Sequence, residues 1–198
     1  VNTGAQPLLS PDGKQALAVN GEIYNHQEIR HALKDSYAFR TESDCEVILP
    51  LYLQHGPGFL DQLRGMFAFV LYDEAADRWM MARDPIGIMP LYYGHDQHGQ
   101  LFVASEMKAL MEVCNQVHEF PPGHYWTSGQ SEPQRWYRRD WEHYDNVAHA
   151  VTDRAALRAA DRGAEHDGEQ GALRVAPPAP LAPVLDLVQA PEQVIGIA

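Results

Sequence analysis

The sequence predicts an α+β fold built on antiparallel sheets, and three observations carry that prediction. From Gly65 onward apolar residues recur with period two, in runs that come in pairs joined by turn residues. Helical spacing is concentrated before Gly65. The four Trp, nine Tyr and six Phe all lie at or before Tyr144, so the large side chains that fill a core are gathered there. Hairpin-linked strands with segregated helices favour antiparallel sheets over an alternating βα pattern.

Each element follows from local chemistry. VNTGAQPLL reads as a loop leading into a strand, and the turn-like SPDGK precedes QALAVN (15–20), a short β-run ending at Gly21. NHQEIRHALK carries Ile29, Ala32 and Leu33 at helical spacing, with Asn25 as N-cap. SDCEVILPLYLQ reads as a second helix, in which Ser43 and Glu46 are spaced as a capping box and Pro50 is set to kink or shorten it. A third short helix is expected around Phe59 to Leu63. GMFAFVLYD and RWMMARD then form a hairpin through EAAD, PLYYG and LFVAS a second through HDQHGQ, and GHYWTS with PQRWYR a third. SEMKAL starts a capped helix.

Beyond Tyr144 the chain changes character. TDRAALRAADR reads as a helix capped by Thr152, but from Gly163 onward the segment is rich in Pro and Ala and free of aromatics. Only VLDLVQ suits a short strand or helix there. The expected division is a domain over 1–144, a linker and helix start over 145–162, and a tail over 163–198 with little fixed structure.

Composition narrows the function classes. With 15 basic and 27 acidic residues the net charge is −12, which repels phosphate backbones and anionic membranes, so neither nucleic acid nor membrane is an expected partner. No run approaches the roughly 18 apolar residues of a membrane span, and no secretory signal is visible. Two cysteines make no disulfide framework, which suits a reducing, cytoplasmic location. His95 and His98 lack companions at ligand spacing, so no metal is expected. Neither a G-x-x-x-x-G-K-[ST] loop nor a G-x-G-x-x-G fingerprint is present, so no nucleotide cofactor is expected in this chain.

The strongest chemical signal is NGEIYNH (20–26). An Asn side chain beside a Gly backbone N–H can form an oxyanion hole, although the same pair also makes ordinary turns. Asp44 suits either a ligand amino group or the macrodipole of a helix start. Glu22 and Glu46 read as solvated acids. Cys45, flanked by Asp44 and Glu46, is a poor thiolate and reads as an inert core residue. RDPIGIMPLYYG reads as a structural loop stiffened by an Arg83–Asp84 ion network.

In order, GAQPL, LAVNGEIYNH, SDCEVIL, GMFAFVLYD, RDPIGIMPLYYG, VASEMKAL and YRRDWEHYD closely resemble the glutaminase domain of glutamine-hydrolysing asparagine synthetases, from about Gly4 to Arg158. The resemblance implies an N-terminal-nucleophile-hydrolase-like fold, a four-layer sandwich of two antiparallel sheets between helices, incomplete at its N-terminus. It implies Asn20 and Gly21 as oxyanion donors, Glu22 as a lining residue of the glutamine site and Asp44 as the holder of the glutamine α-amino group. In that family an N-terminal Cys attacks the glutamine amide with its own α-amine as base. A synthetase domain then uses ATP, magnesium and aspartate to make asparagine, in a complete enzyme that is a homodimer.

The family's Cys and its carboxylate-gripping Arg correspond to a stretch before Val1, and its SGGLDS-type ATP loop would follow the matched region, where DRGAEHDGEQGALRVAPPAPLAP stands instead. The expectation is a chain truncated at both ends, with a shifted reading frame downstream, inactive alone and poorly stable. Three readings stay open: part of an asparagine synthetase, a non-catalytic remnant or regulatory glutamine-binding module, or part of a related class II amidotransferase. Whether the chain alone is an enzyme stays open with them.

Overall fold

Alternation over nine residues builds the first sheet. In the computed structural model, which describes residues 5–138, 187–188 and 194–197, strand β2 (Gln15–Ile23) pairs along its whole length with β3 (Gly65–Asp73). Its neighbours are β1 (Leu8–Leu9), β4 (Arg78–Arg83), β8 (His124–Thr127) and β9 (Gln134–Arg135), in the order β1-β2-β3-β4-β8-β9. A second sheet joins β5 (Tyr92–His95), β6 (Leu101–Ala104), β7 (Gln116–Glu119), β10 (Leu187–Val188) and β11 (Val194–Ile197), in the order β10-β11-β6-β5-β7. Every pairing is antiparallel, and the three expected hairpins are β3–β4, β5–β6 and β8–β9.

The period of two sorts side chains into layers. Leu17, Val19, Phe67, Phe69 and Leu71 point to one face and pack with Ile29 of helix α1 (His26–Leu33) and with Ile48 and Leu49 of α2 (Ile48–His55). Ala68, Val70 and Met81 point to the other face and meet Leu101 and Val103 of the second sheet. The outer face of that sheet, through Ala104, Phe102 and Tyr92, covers Leu110 of α3 (Met107–Met111). The result is helix, sheet, sheet, helix, the α+β sandwich expected from the sequence.

Local expectations were revised in four places. The strand does not stop at Gly21 but continues to Ile23, because Gly21 takes a φ of +137° and stays in register opposite Phe67. Asn25 sits at the N-cap of α1 without capping it; its amide instead donates to Gln62 O at 2.9 Å and accepts from Arg64 N–H at 3.0 Å, clamping the entry to β3. The second helical segment divides into a 3-10 turn (Asp44–Val47) and α2, which puts Pro50 in the first turn of α2, where its missing N–H costs no bond. The expected third helix is a 3-10 run, Gly56–Gln62.

The chain divides into two compact units, residues 1–136 with 174–198 and residues 137–173, and nearly all described residues belong to the first. The expected helix at 152–162 and most of YRRDWEHYD lie outside the described residues, as does most of the 163–198 tail. Of VLDLVQ, Leu187 and Val188 form β10.

Candidate functional site: the Asn20–Gly21 corner

The C-terminal end of β2 carries Asn20, Gly21 and Glu22 in succession. Asn20 lies on the face toward the second sheet, where it lines a cleft with Ala18, Ala68, Leu91, Val103 and Ser105. Among the described residues the Asn20 side-chain amide has no hydrogen-bond partner, which leaves its N–H groups free to donate into that space. Glu22 is exposed, and alternation places it on the same face.

The edge of β2 facing away from β3 tells where the Gly21 N–H lies. Val19 N–H donates along that edge to Gln6 Oε1 at 2.7 Å, and Ile23 N–H donates along it to Asp44 Oδ2 at 2.6 Å. Gly21 stands between them, so strand alternation sends its N–H to the same edge. Gln6 completes its own imitation of a strand by donating to Val19 O at 2.6 Å. The structure therefore brings Asp44 beside Gly21–Ile23, twenty-odd residues away in sequence. One carboxylate oxygen of Asp44 is held by Ile23; the other accepts no hydrogen bond among the described residues.

The segment that delivers Asp44 corrects two sequence readings. Ser43 makes no side-chain cap, and Glu46 is no solvated acid: it is fully buried. Its carboxylate accepts from Arg40 N–H at 2.6 Å, Thr41 N–H at 2.7 Å and Thr41 Oγ1–H at 2.6 Å, and pairs with Arg30 at 3.6 Å. Arg30 in turn donates to Thr41 O at 2.9 Å and Ser43 O at 2.6 Å. Sequence reading missed Arg30 and Gln6 because each acts on backbone 11 to 13 residues from its own position, and it misread Glu46, whose backbone partners lie five and six residues before it. The Ser43–Glu46 spacing offered a local partner that the fold did not use.

Cys45 is buried, with its sulfur 3.6 Å from Gly21 O and 3.5 Å from Asp44 Oδ2. Burial first, then the Asp44 charge, pushes its thiol far above the ordinary value of 9.0. The sign of the linkage follows: the folded chain keeps this proton while the unfolded chain loses it, so stability is whole below about pH 9 and falls as pH rises further. Cys45→Ala is expected to flatten that fall, as read from urea midpoints measured across the range. At pH 8, alkylation of Cys45 is expected to lag that of the part-exposed Cys114 by about tenfold or more, a gap that closes in denaturant. Mass spectrometry of iodoacetamide-treated protein reads both.

The RDPIG loop is indeed structural, but by a different device. Arg83 and Asp84 make no ion pair with each other. Asp84, fully buried, accepts the N–H groups of Ile86, Gly87, Ile88 and Met89 at 2.7–3.1 Å. Arg83 donates to the carbonyls of Met89 at 2.6 Å, Gly87 at 3.0 Å and Phe120 at 2.6 Å, and to Glu119 at 2.8 Å. One side chain collects the loop's donors and its neighbour collects the acceptors, which fixes Pro90 and Leu91 against the cleft.

A family model described as a glutamine amidotransferase domain matches residues 1–122. The chain belongs to the glutamine amidotransferase domain family. It is 56% identical over 160 residues to asparagine synthetase B [glutamine-hydrolyzing] of Escherichia coli (strain K12), covering 81% of this chain and 29% of that protein. It is 48% identical over 160 residues to a probable glutamine-hydrolyzing asparagine synthetase of Schizosaccharomyces pombe, covering 80% and 29%. This amidotransferase domain chain thus spans under a third of the curated relatives it matches. Among solved structures, the allosteric regulatory enzyme of purine biosynthesis superposes with a TM-score of 0.57 at 28% identity, covering 68% of this chain and 31% of that one. The glutamine phosphoribosylpyrophosphate amidotransferase of B. subtilis superposes equally well, at 27% identity over 68% and 32%. The two-sheet sandwich is the N-terminal-nucleophile amidotransferase fold.

Proposed function

We propose that this chain supplies the amide-cradling site of a glutamine-hydrolysing amidotransferase serving asparagine synthesis. The observation that carries the reading is Asp44, pinned by one oxygen to Ile23 beside the Asn20–Gly21 corner, with its other oxygen unengaged among the described residues. A fixed carboxylate of this kind suits the α-ammonium group of glutamine. Asn20 Nδ2 and the Gly21 N–H donate to the amide oxygen as negative charge develops there, and Glu22 lines the substrate. Such donors act where water is scarce, and loss of one lowers turnover by about 10²–10³-fold. Cys45, protonated and wedged behind the corner, packs the site and does not attack.

On this reading glutamine is the substrate, and ammonia passes to a synthetase part of a longer polypeptide that binds aspartate, ATP and magnesium and assembles as a cytoplasmic homodimer. Among the described residues no cluster of three His, Cys, Asp or Glu is placed to hold a metal ion. No described helix is long and apolar enough to cross a membrane.

Calorimetric titration tests the site. L-glutamine is expected to bind the chain, and Asp44→Asn to weaken binding by about tenfold or more, since a charge-assisted hydrogen bond is worth about 1.5–3 kcal/mol. Asn20→Ala is expected to leave binding nearly unchanged, because its donor serves the transition state. Wild-type protein that ignores millimolar glutamine, or an Asp44→Asn variant that binds as well as wild type, would sink the reading.

A further inference from the structure

We infer that Arg30 and Glu46 form a positioning device that sets how well Asp44 holds a substrate ammonium group, an inference that rests on the glutamine-site reading above. The two side chains arrive from different elements, α1 and the 3-10 turn after residue 43. Between them they engage the backbone that leads into Asp44. Glu46 takes the N–H groups of Arg40 and Thr41 and the Thr41 hydroxyl, which itself accepts from Ser43 N–H at 3.1 Å. Arg30 takes the carbonyls of Thr41 and Ser43. Its guanidinium lies 4.3 Å from the centre of the Phe39 ring, so the same cation is also fixed from that side.

Stability is a weak reason for this arrangement. A buried ion pair seldom outperforms apolar packing of the same volume, and this one leaves Arg30 Nε and the nearby Tyr37 hydroxyl buried without partners among the described residues. Placement is the better reason. Asp44 is half-exposed and is anchored on the β2 side by a single hydrogen bond, from Ile23. The direction in which its free oxygen points therefore depends on where the Ser43–Asp44 backbone sits. A displacement of about 1 Å is enough to spoil a charged contact of this kind.

The test compares two ligands, L-glutamine and 4-carbamoylbutanoic acid, the same amide acid without its α-amino group. Their affinity ratio reads the Asp44 contact alone. In Glu46→Gln the ratio is expected to fall about tenfold, while affinity for 4-carbamoylbutanoic acid stays within about twofold. Arg30→Lys, which keeps the charge and loses the fork, is expected to fall between that variant and wild type. Equal weakening of both ligands in folded Glu46→Gln would mark a merely structural role and overturn the inference, as would an unchanged ratio. If Glu46→Gln fails to give a cooperative melt, Thr41→Val, which removes the hydroxyl that donates to Glu46 and accepts from Ser43 N–H, is read the same way, with a smaller fall supporting the device and an unchanged ratio overturning it. Wild type that does not distinguish the two ligands would instead overturn the glutamine-site reading, a result separable from a variant that keeps full discrimination.

Discussion

Gly21→Ala is expected to destabilise the fold by about 2–6 kcal/mol, the sum of backbone strain and forced overpacking. At φ +137° an L side chain is strained wherever it points, and a Cβ built there meets Met66 O at 2.0 Å and Phe67 Cα at 2.7 Å. Those obstacles are backbone of the paired strand, so they can yield only by parting β2 from β3. The approach is mutual: a Cβ on Gly65 meets Glu22 O at 2.1 Å. Against a typical stability of about 5–15 kcal/mol, a loss in the upper half of that range unfolds a protein at the low end of typical stability and leaves a more stable one folded with a lowered midpoint. Gly13 supplies the control, because its φ is +76° but nothing lies within 4 Å of an added Cβ. Gly13→Ala thus carries backbone strain without the collision. Urea unfolding of both variants separates the terms, and a Gly21→Ala midpoint no lower than that of Gly13→Ala would refute the account.

Asp84→Ala is the second large effect, expected to cost about 3–5 kcal/mol, because it removes charge-assisted hydrogen bonds and leaves their buried backbone donors unpaired. Four backbone N–H groups lose their acceptor together. The loop has a partial escape, since Ile86 and Ile88 are already half-exposed and their amides can turn to water. For that reason the cost stays below four full desolvation penalties of about 1–3 kcal/mol each. Asp84→Asn keeps an acceptor oxygen and loses the charge, so it is expected to lose less than half as much. Amide exchange offers the sharper reading: protection of residues 86–89 should vanish in Asp84→Ala while that of β2 and β3 persists. Retained protection in the loop would show that Arg83 alone holds it.

The elements that could be read from the chain are those whose cause is local. Period two over Gly65–Asp73 and Arg78–Arg83, with polar EAAD between, leaves a hairpin as the economical outcome, and the hairpin is there. Ile29 and Leu33 lie on the inward side of α1 for the same kind of reason, their i, i+4 spacing. Asn25 and Ser43 show where such reading stops. Both stand at cap positions and neither side chain caps: Gln62 and Arg64 take the Asn25 amide, and Arg30 holds the backbone at Ser43, whose hydroxyl makes no cap. A cap rule weighs only neighbours within a turn, and these competitors are 13 to 39 residues away.

The same division runs through the candidate site. Asn20, Gly21, Glu22 and Asp44 were legible as a string of residue types whose order resembles one family of amide-handling domains. By itself the sequence determined the α+β class, the three hairpins, the unsuitability of Cys45 as a thiolate and the chemical inventory of the corner, since all of these depend on residue identity and short-range spacing. Only the tertiary structure decided that β2 runs on through Gly21, that Glu46 is buried instead of solvated, and that Arg83 and Asp84 grip the loop instead of each other. Those outcomes turn on which backbone groups a side chain must satisfy once water is excluded, and that accounting exists only after the two sheets and their helices have closed.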